Sequence, residues 1–172
     1  MTIEEELFAR HAGKRILLDS NLLLVFISGA MGPGIFARFK RVSNYTIGDY
    51  ELLVRLLGAF TVLVTTPHIL TEVSNLANSL PEWYKQEWYQ NFAGLVESED
   101  RSPGIQEQWV PAAELAKMLE FSAFGITDAA LTKLSSDALV VTEDRRLSGI
   151  LRARNIPAIN FMDLRSLQRL LK

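Results

Sequence analysis

The chain has no cysteine and only two histidines, His11 and His68. Disulfides, zinc–thiolate sites and cysteine nucleophiles are thereby excluded. A metal site built on imidazole has almost no material, and a Ser-His-Asp triad would have to run through one of the two. An excess of one charge is lacking too. The 18 basic and 20 acidic side chains leave a formal net charge of −2, which does not announce a partner of either sign, although an acidic site would mask a local basic patch. A clean membrane-spanning run is also missing. The stretch from Ile16 to Ala37 lacks Lys and Arg, but it contains Asp19, Asn21, Gly29, Gly32, Pro33 and Gly34, which a spanning helix tolerates badly. The charged start MTIEEELFARHAGKR does not read as a signal peptide. The expectation is a soluble cytoplasmic protein.

What is present is an ordinary globular composition, 48% apolar and 22% charged over 172 residues, which suits one domain with a full core. Residues 1–14 read as a charged extension and 81–110 as a long helical and loop insertion within that single domain. Ile16–Leu18, Thr61–Thr65, Ala138–Thr142 and Pro157–Asn160 are short apolar or β-branched runs that predict strands, and Gln108–Pro111 predicts another. Helices are expected over Leu22–Ser28, Thr46–Phe60, Thr66 to about Leu80, Pro111–Phe124, Asp128–Ser135, Asp144–Asn155 and Asp163–Leu171. Thr66 suits an N-cap with Pro67 in the first helical position, and Thr127 suits the cap of the helix at Asp128. Gly29–Gly34 reads as a flexible break, and an acidic turn is expected before Gly104. This strand–helix alternation predicts an α/β fold, a three-layer α/β/α sandwich with a central, mostly parallel sheet.

Four acidic residues stand where strands give way to helices or just inside them. They are Asp19 in RILLDSNLLL, Glu72 in TTPHILTEV, Asp128 in GITDAAL and Asp144 in ALVVTEDRRL. Each adjoins an apolar stretch, where a carboxylate is costly unless paired or liganded. Sites on parallel sheets form at the carboxyl ends of the strands, so the four could converge there. They would repel one another, and a divalent cation is the simplest thing to hold them together. Plainer readings exist for each: Asp19 and Asp144 as N-caps, Asp128 as a partner of the helix dipole, Glu72 as a solvated helix flank. One site accounts for all four at once. Ser20 and Thr142 are hydroxyls placed to orient carboxylates. Asn21 and Asn160 add polar groups at the same sheet end. Glu143 precedes Asp144, and either could face the cation.

The segments LLDSN, PHILTEV, ITDAAL and LVVTEDRRL, in that order from about Arg15 to Asp163, resemble the PIN-domain family of metal-dependent ribonucleases, which includes the toxin halves of VapBC-type toxin–antitoxin pairs. The resemblance implies a PIN-like sandwich with Mg²⁺ or Mn²⁺ held by Asp19, Glu72, Asp128 and Asp144. It implies hydrolysis of RNA phosphodiester bonds, by a toxin or a processing enzyme, and for a toxin an antitoxin partner and a homodimer. Mg²⁺ prefers oxygen ligands and activates water, so the scarcity of Cys and His fits. The stretch between Glu72 and Asp128 is long for a minimal member of the family.

RNA backbone could be held by Arg38, Lys40 and Arg41 beside the glycine loop, and by Arg145 and Arg146. The latter head a basic C-terminal group with Arg152, Arg154, Arg165, Arg169 and Lys172. Solvated helix faces are the plainer account of such residues. Trp83, Tyr84, Trp88, Tyr89 and Phe92 could stack on bases or pack a helix. The competing function is a catalytically silent RNA- or protein-binding module on the same fold, which has no need of all four carboxylates. A phosphatase of the haloacid-dehalogenase type is disfavoured. It wants Asp-x-Asp after the first strand, where this chain has Asp19-Ser20-Asn21.

Overall fold

A computed structural model describes residues 2–97 and 103–170, without the side chains of residue 3 and residues 167–170. Among these residues the strands are β1 (Arg15–Leu18), β2 (Val62–Thr65), β3 (Gly104–Glu107), β4 (Ala138–Thr142) and β5 (Ala158–Asn160). Ile16, Leu17 and Leu18 are all buried, as is every residue of β4. Strands with no wet face need cover on both sides, and parallel neighbours need crossover connections that supply it. All pairings are parallel and the order is β3-β2-β1-β4-β5. Leu17 stands opposite Val64 on one side and Val140 on the other. The chain runs outward from β1 to β3, then crosses back to β4 and β5, so the order reverses at the β1–β4 boundary.

The helices are α1 (Ile3–His11), α2 (Ser20–Gly29), α3 (Gly34–Arg38), α4 (Ile47–Leu57), α5 (Pro67–Ala77), α6 (Glu82–Glu97), α7 (Ala112–Leu115), α8 (Leu119–Phe124), α9 (Ile126–Leu134), α10 (Arg145–Ala153) and α11 (Phe161–Leu170), with a 3-10 turn at Lys40–Val42. Helix α5 packs on α2 and on α9, while α1 and α10 pack against β4 and β5. The result is the α/β/α sandwich that the alternation predicts, with a sheet that is parallel throughout. Helix α2 is apolar nearly all round, and Leu22, Leu23, Leu24, Val25 and Ile27 are buried, as befits a central helix. Gly29 at its end lets Tyr50 of α4 approach. A Cβ there would lie 2.3 Å from the Tyr50 ring.

The charged N-terminal stretch forms α1, opened by a capping box between Thr2 and Glu5. Thr66 caps α5 through the Ile69 N–H, with Pro67 next, as expected. The aromatic segment is a packing helix. Trp88 is 0% exposed and donates Nε1–H to Ser28 Oγ at 2.9 Å, while Tyr89 and Phe92 lie against the core. Trp83 alone of the five is largely exposed.

Three expectations need correction. The third strand is Gly104–Glu107, not Gln108–Pro111. GIQE carries little apolar pattern, and its strand state comes from pairing with β2 at the sheet edge, where exposure is normal. The helix expected over Pro111–Phe124 is two short ones, interrupted where Met118 is extended. Thr127 is not a cap, because Gly125 begins α9 and ends α8 at once. Its φ of 92° and ψ of −179° lie in a region open essentially to glycine alone. Gly29 and Gly34 close and open helices, so the break between them is short. The acidic turn lies outside the described residues. Among the described residues no helix is long and apolar enough to cross a membrane.

Candidate metal centre

Asp19 is the first residue past β1, and its N–H continues the ladder to the Val141 carbonyl at 3.1 Å. Its side chain therefore sits at the point where the strand order reverses, the usual place for a site in an open parallel sheet. The residue is 7% exposed and its carboxylate is densely bonded. Oδ1 accepts from the Leu22 N–H at 2.8 Å, capping α2. Oδ2 accepts from Thr142 Oγ1 at 2.6 Å and from the Glu143 N–H at 2.9 Å. Burial pushes its pKa up, and these three bonds hold it back.

Asp144 caps α10. Its Oδ1 accepts from the N–H groups of Arg146 and Leu147 at 2.7 and 3.0 Å, and its own N–H donates to Thr142 Oγ1 at 3.0 Å. Glu72 lies on α5, where its Oε2 accepts from Ser20 Oγ at 3.0 Å. Asp128 lies in the first turn of α9. Burial first, and then the charges of Asp19, Glu72 and Asp144, raise its pKa to about 7. No described cation or hydrogen-bond donor opposes that rise.

The four carboxylates converge. With Ser20, Asn21, Thr142 and Glu143 they line one cleft of about 360 Å³, and no Lys, Arg or His is among the lining residues. The capping readings of Asp19 and Asp144 hold, so these two cap their helices and line the cleft. Glu143 also faces the cleft, but its oxygens are engaged. Oε1 accepts from Asn21 Nδ2 at 3.1 Å and Oε2 from the Tyr45 hydroxyl. Burial and the Asp19 charge push the Glu143 pKa up, and Asn21 and Arg165 oppose them. Asp144 keeps Oδ2 clear of any described donor. Asn160 stays outside the cleft lining and pins the loop, donating Nδ2–H to the Glu143 carbonyl and accepting from the Met162 N–H, both at 3.0 Å.

Tyr45 is a neighbour of the site that the sequence reading missed, and no local signal marks it. Behind it stands a buried ion pair. Arg165 Nε lies 2.7 Å from Asp49 Oδ1, off the axis of a hydrogen bond, and its guanidinium is 6.0 Å from the Tyr45 ring centre. The other arginines are mostly paired. Arg145 meets Asp163 at 3.2 Å, Arg152 meets Glu4 at 3.1 Å, and Arg154 meets Glu120. Arg146 lies 4.8 Å over the Phe124 ring. Arg38 bonds the Tyr84 hydroxyl and faces its ring, and Lys40 and Arg41 are exposed on the 3-10 turn. None of these lines the cleft. Lys172 and the Arg169 side chain lie outside the described residues.

The donors suit a hard divalent cation in kind, since all are carboxylate oxygens. Asp144 Oδ2, Glu72 Oε1 and both Asp128 oxygens accept no hydrogen bond from described residues. The cage is not closed: among the described residues no group of three or more acidic or histidine side chains is disposed to hold an ion as it stands. No protein-family model matches the chain, and no curated protein or solved structure does so either. The likeness to PIN domains therefore rests on the four short motifs and their order.

Proposed function

We propose that this chain is a PIN-type, metal-dependent endoribonuclease that hydrolyses RNA phosphodiester bonds in the cleft formed by Asp19, Glu72, Asp128 and Asp144. One observation carries the reading: four carboxylates from four separate elements share a cleft with no cationic side chain in its lining. Bound Mg²⁺ or Mn²⁺ supplies Lewis acidity and charge neutralisation toward a phosphodiester. The residues supply the rest. Asp19 is fixed by three hydrogen bonds, and with Oδ2 taken by two donors it would offer a cation Oδ1, which has one. Ser20 orients Glu72. Asp128, whose carboxylate oxygens accept no hydrogen bond from described residues, has an acceptor to offer an attacking water. Without a cation the cleft repels phosphate, so activity depends on the metal. As a toxin the protein would have an antitoxin that covers the cleft and would act as a homodimer. As a processing enzyme it needs neither.

The second reading is a silent RNA- or protein-binding module. It is favoured by the capping roles of Asp19 and Asp144, which give both residues a use without catalysis. The deciding experiment is cleavage of single-stranded and structured RNAs with Mg²⁺, Mn²⁺ or EDTA, by the wild type, Asp128→Asn and Glu72→Gln. These variants leave both caps intact. Metal-dependent cutting that both substitutions abolish supports the nuclease. Cutting that persists in EDTA or survives both substitutions sinks it, and cation binding without cutting of any RNA favours the silent module.

A further inference from the structure

We infer that Trp109, set beside His68, is a stacking platform for an unpaired base of single-stranded RNA entering the acidic cleft, an inference that rests on the ribonuclease reading. The fold puts the two features on one edge. Asp19 follows the carboxyl end of β1, His68 follows that of β2 and Trp109 follows that of β3. Because β3 lies two strand spacings from β1, the lateral separation is roughly 10 Å, within reach of a nucleotide near the scissile one. His68 and Glu72 are four residues apart on α5, hence neighbours on one helix face.

The platform is held firmly. The Gln108 N–H donates to the Thr65 carbonyl at 2.9 Å, so pairing with β2 persists up to the residue before Trp109. Val110, the residue after it, is buried, and its carbonyl lies 3.0 Å from His68 Nε2. The His68 and Trp109 rings are 6.4 Å apart at 30°. Between two anchored neighbours the indole is nonetheless 74% exposed, whereas Trp88 is fully buried. An indole so exposed on an anchored stretch of backbone offers aromatic surface to solvent, and unpaired bases stack on such surfaces whatever their identity. Duplex bases already have stacking partners, so the platform selects single strands. It also suits an acidic cleft, because stacking grips the base without drawing on charge.

The test is fluorescence anisotropy of a short labelled oligoadenylate, and of an abasic strand of equal length, with Ca²⁺ in place of Mg²⁺. Trp109→Ala should weaken oligoadenylate binding on the order of tenfold and leave the abasic strand unchanged, and Trp109→Phe should retain most of the affinity. Equal affinity of wild type and Trp109→Ala for oligoadenylate, or equal losses on both strands, overturns the platform. So does a Trp109→Ala variant that loses self-association while binding RNA normally, which would assign the ring to a protein contact. Base-dependent binding through Trp109 in a protein that cuts no RNA would sustain the platform and refute the nuclease. Metal-dependent cutting with no effect of Trp109→Ala on affinity or KM would do the reverse.

Discussion

Thr142 Oγ1 donates a 2.6 Å hydrogen bond to Asp19 Oδ2 across the β1–β4 boundary, and Oγ1 itself accepts from the Asp144 N–H at 3.0 Å. One buried hydroxyl thus joins the carboxylate after the first strand to the loop after the fourth.

Replacing Thr142 by Val keeps the shape and removes both bonds. Asp19 then loses a donor and the Asp144 N–H loses its acceptor. The expected cost is about 1–3 kcal/mol, read from urea unfolding, with Thr142→Ser losing much less. A Val variant as stable as the wild type would deny the hydroxyl its clamping role.

Asp128 makes stability depend on pH in a direction opposite to that of a salt-bridged acid. Its folded pKa is about 7, above the ordinary 3.8. Below about pH 4 the carboxyl is protonated in both states and costs nothing. As pH rises toward and past 7 the unfolded chain ionises first, so stability falls across that window. With allowance for its partial exposure the loss is on the order of 1–2 kcal/mol. Asp128→Asn should flatten this part of the profile and be the more stable protein at pH 8, as thermal unfolding at a series of pH values would reveal.

A cation bound only by the folded state raises the melting temperature. Mg²⁺ or Mn²⁺ should therefore stabilise the wild type, and more so at pH 8 than at pH 5, where Asp128 holds its proton. The combined Asp128→Asn and Glu72→Gln variant should show little response. A melting temperature indifferent to cation across a full titration in the wild type would argue against the centre.

Gly125 holds the turn from which α9 presents Asp128, at a φ of 92°. No atom outside its neighbours approaches the place of a Cβ there, so Gly125→Ala isolates the cost of backbone strain. About 1–3 kcal/mol is expected, measurable by denaturant titration. A neutral substitution would mean that the turn relaxes to another conformation.

Much of this architecture is legible in local sequence. Ile16–Leu18 and Ala138–Thr142 are buried on both faces, and such strands are written as continuous apolar runs. Thr66-Pro67 announces α5 because cap and first-turn chemistry are local. Asp19 and Asp144 meet because their strands end side by side, and Glu72 and Asp128 join them from the opening turns of α5 and α9. Two misses are local, at Met118 and Gly125, and the others have their cause in distance along the chain. The GIQE segment becomes a strand only through β2, 42 positions earlier at Val62↔Gly104. Tyr45 reaches Glu143 across 98 positions, and Asn21 does so across 122. Pairing turns Arg145, Arg152, Arg154 and Arg165 from an apparent basic patch into partners of individual carboxylates.

Asp19 holds the start of α2 and Asp144 the start of α10, whereas Glu72 and Asp128 cap nothing. These duties would be inherited differently. In a descendant with no use for the cleft, the fold would still keep Asp19 and Asp144 in place, while Glu72 and Asp128 would be free to drift. Two aspartates shared with such a descendant would testify to common ancestry, and the remaining two carboxylates to whether the cleft is still in use.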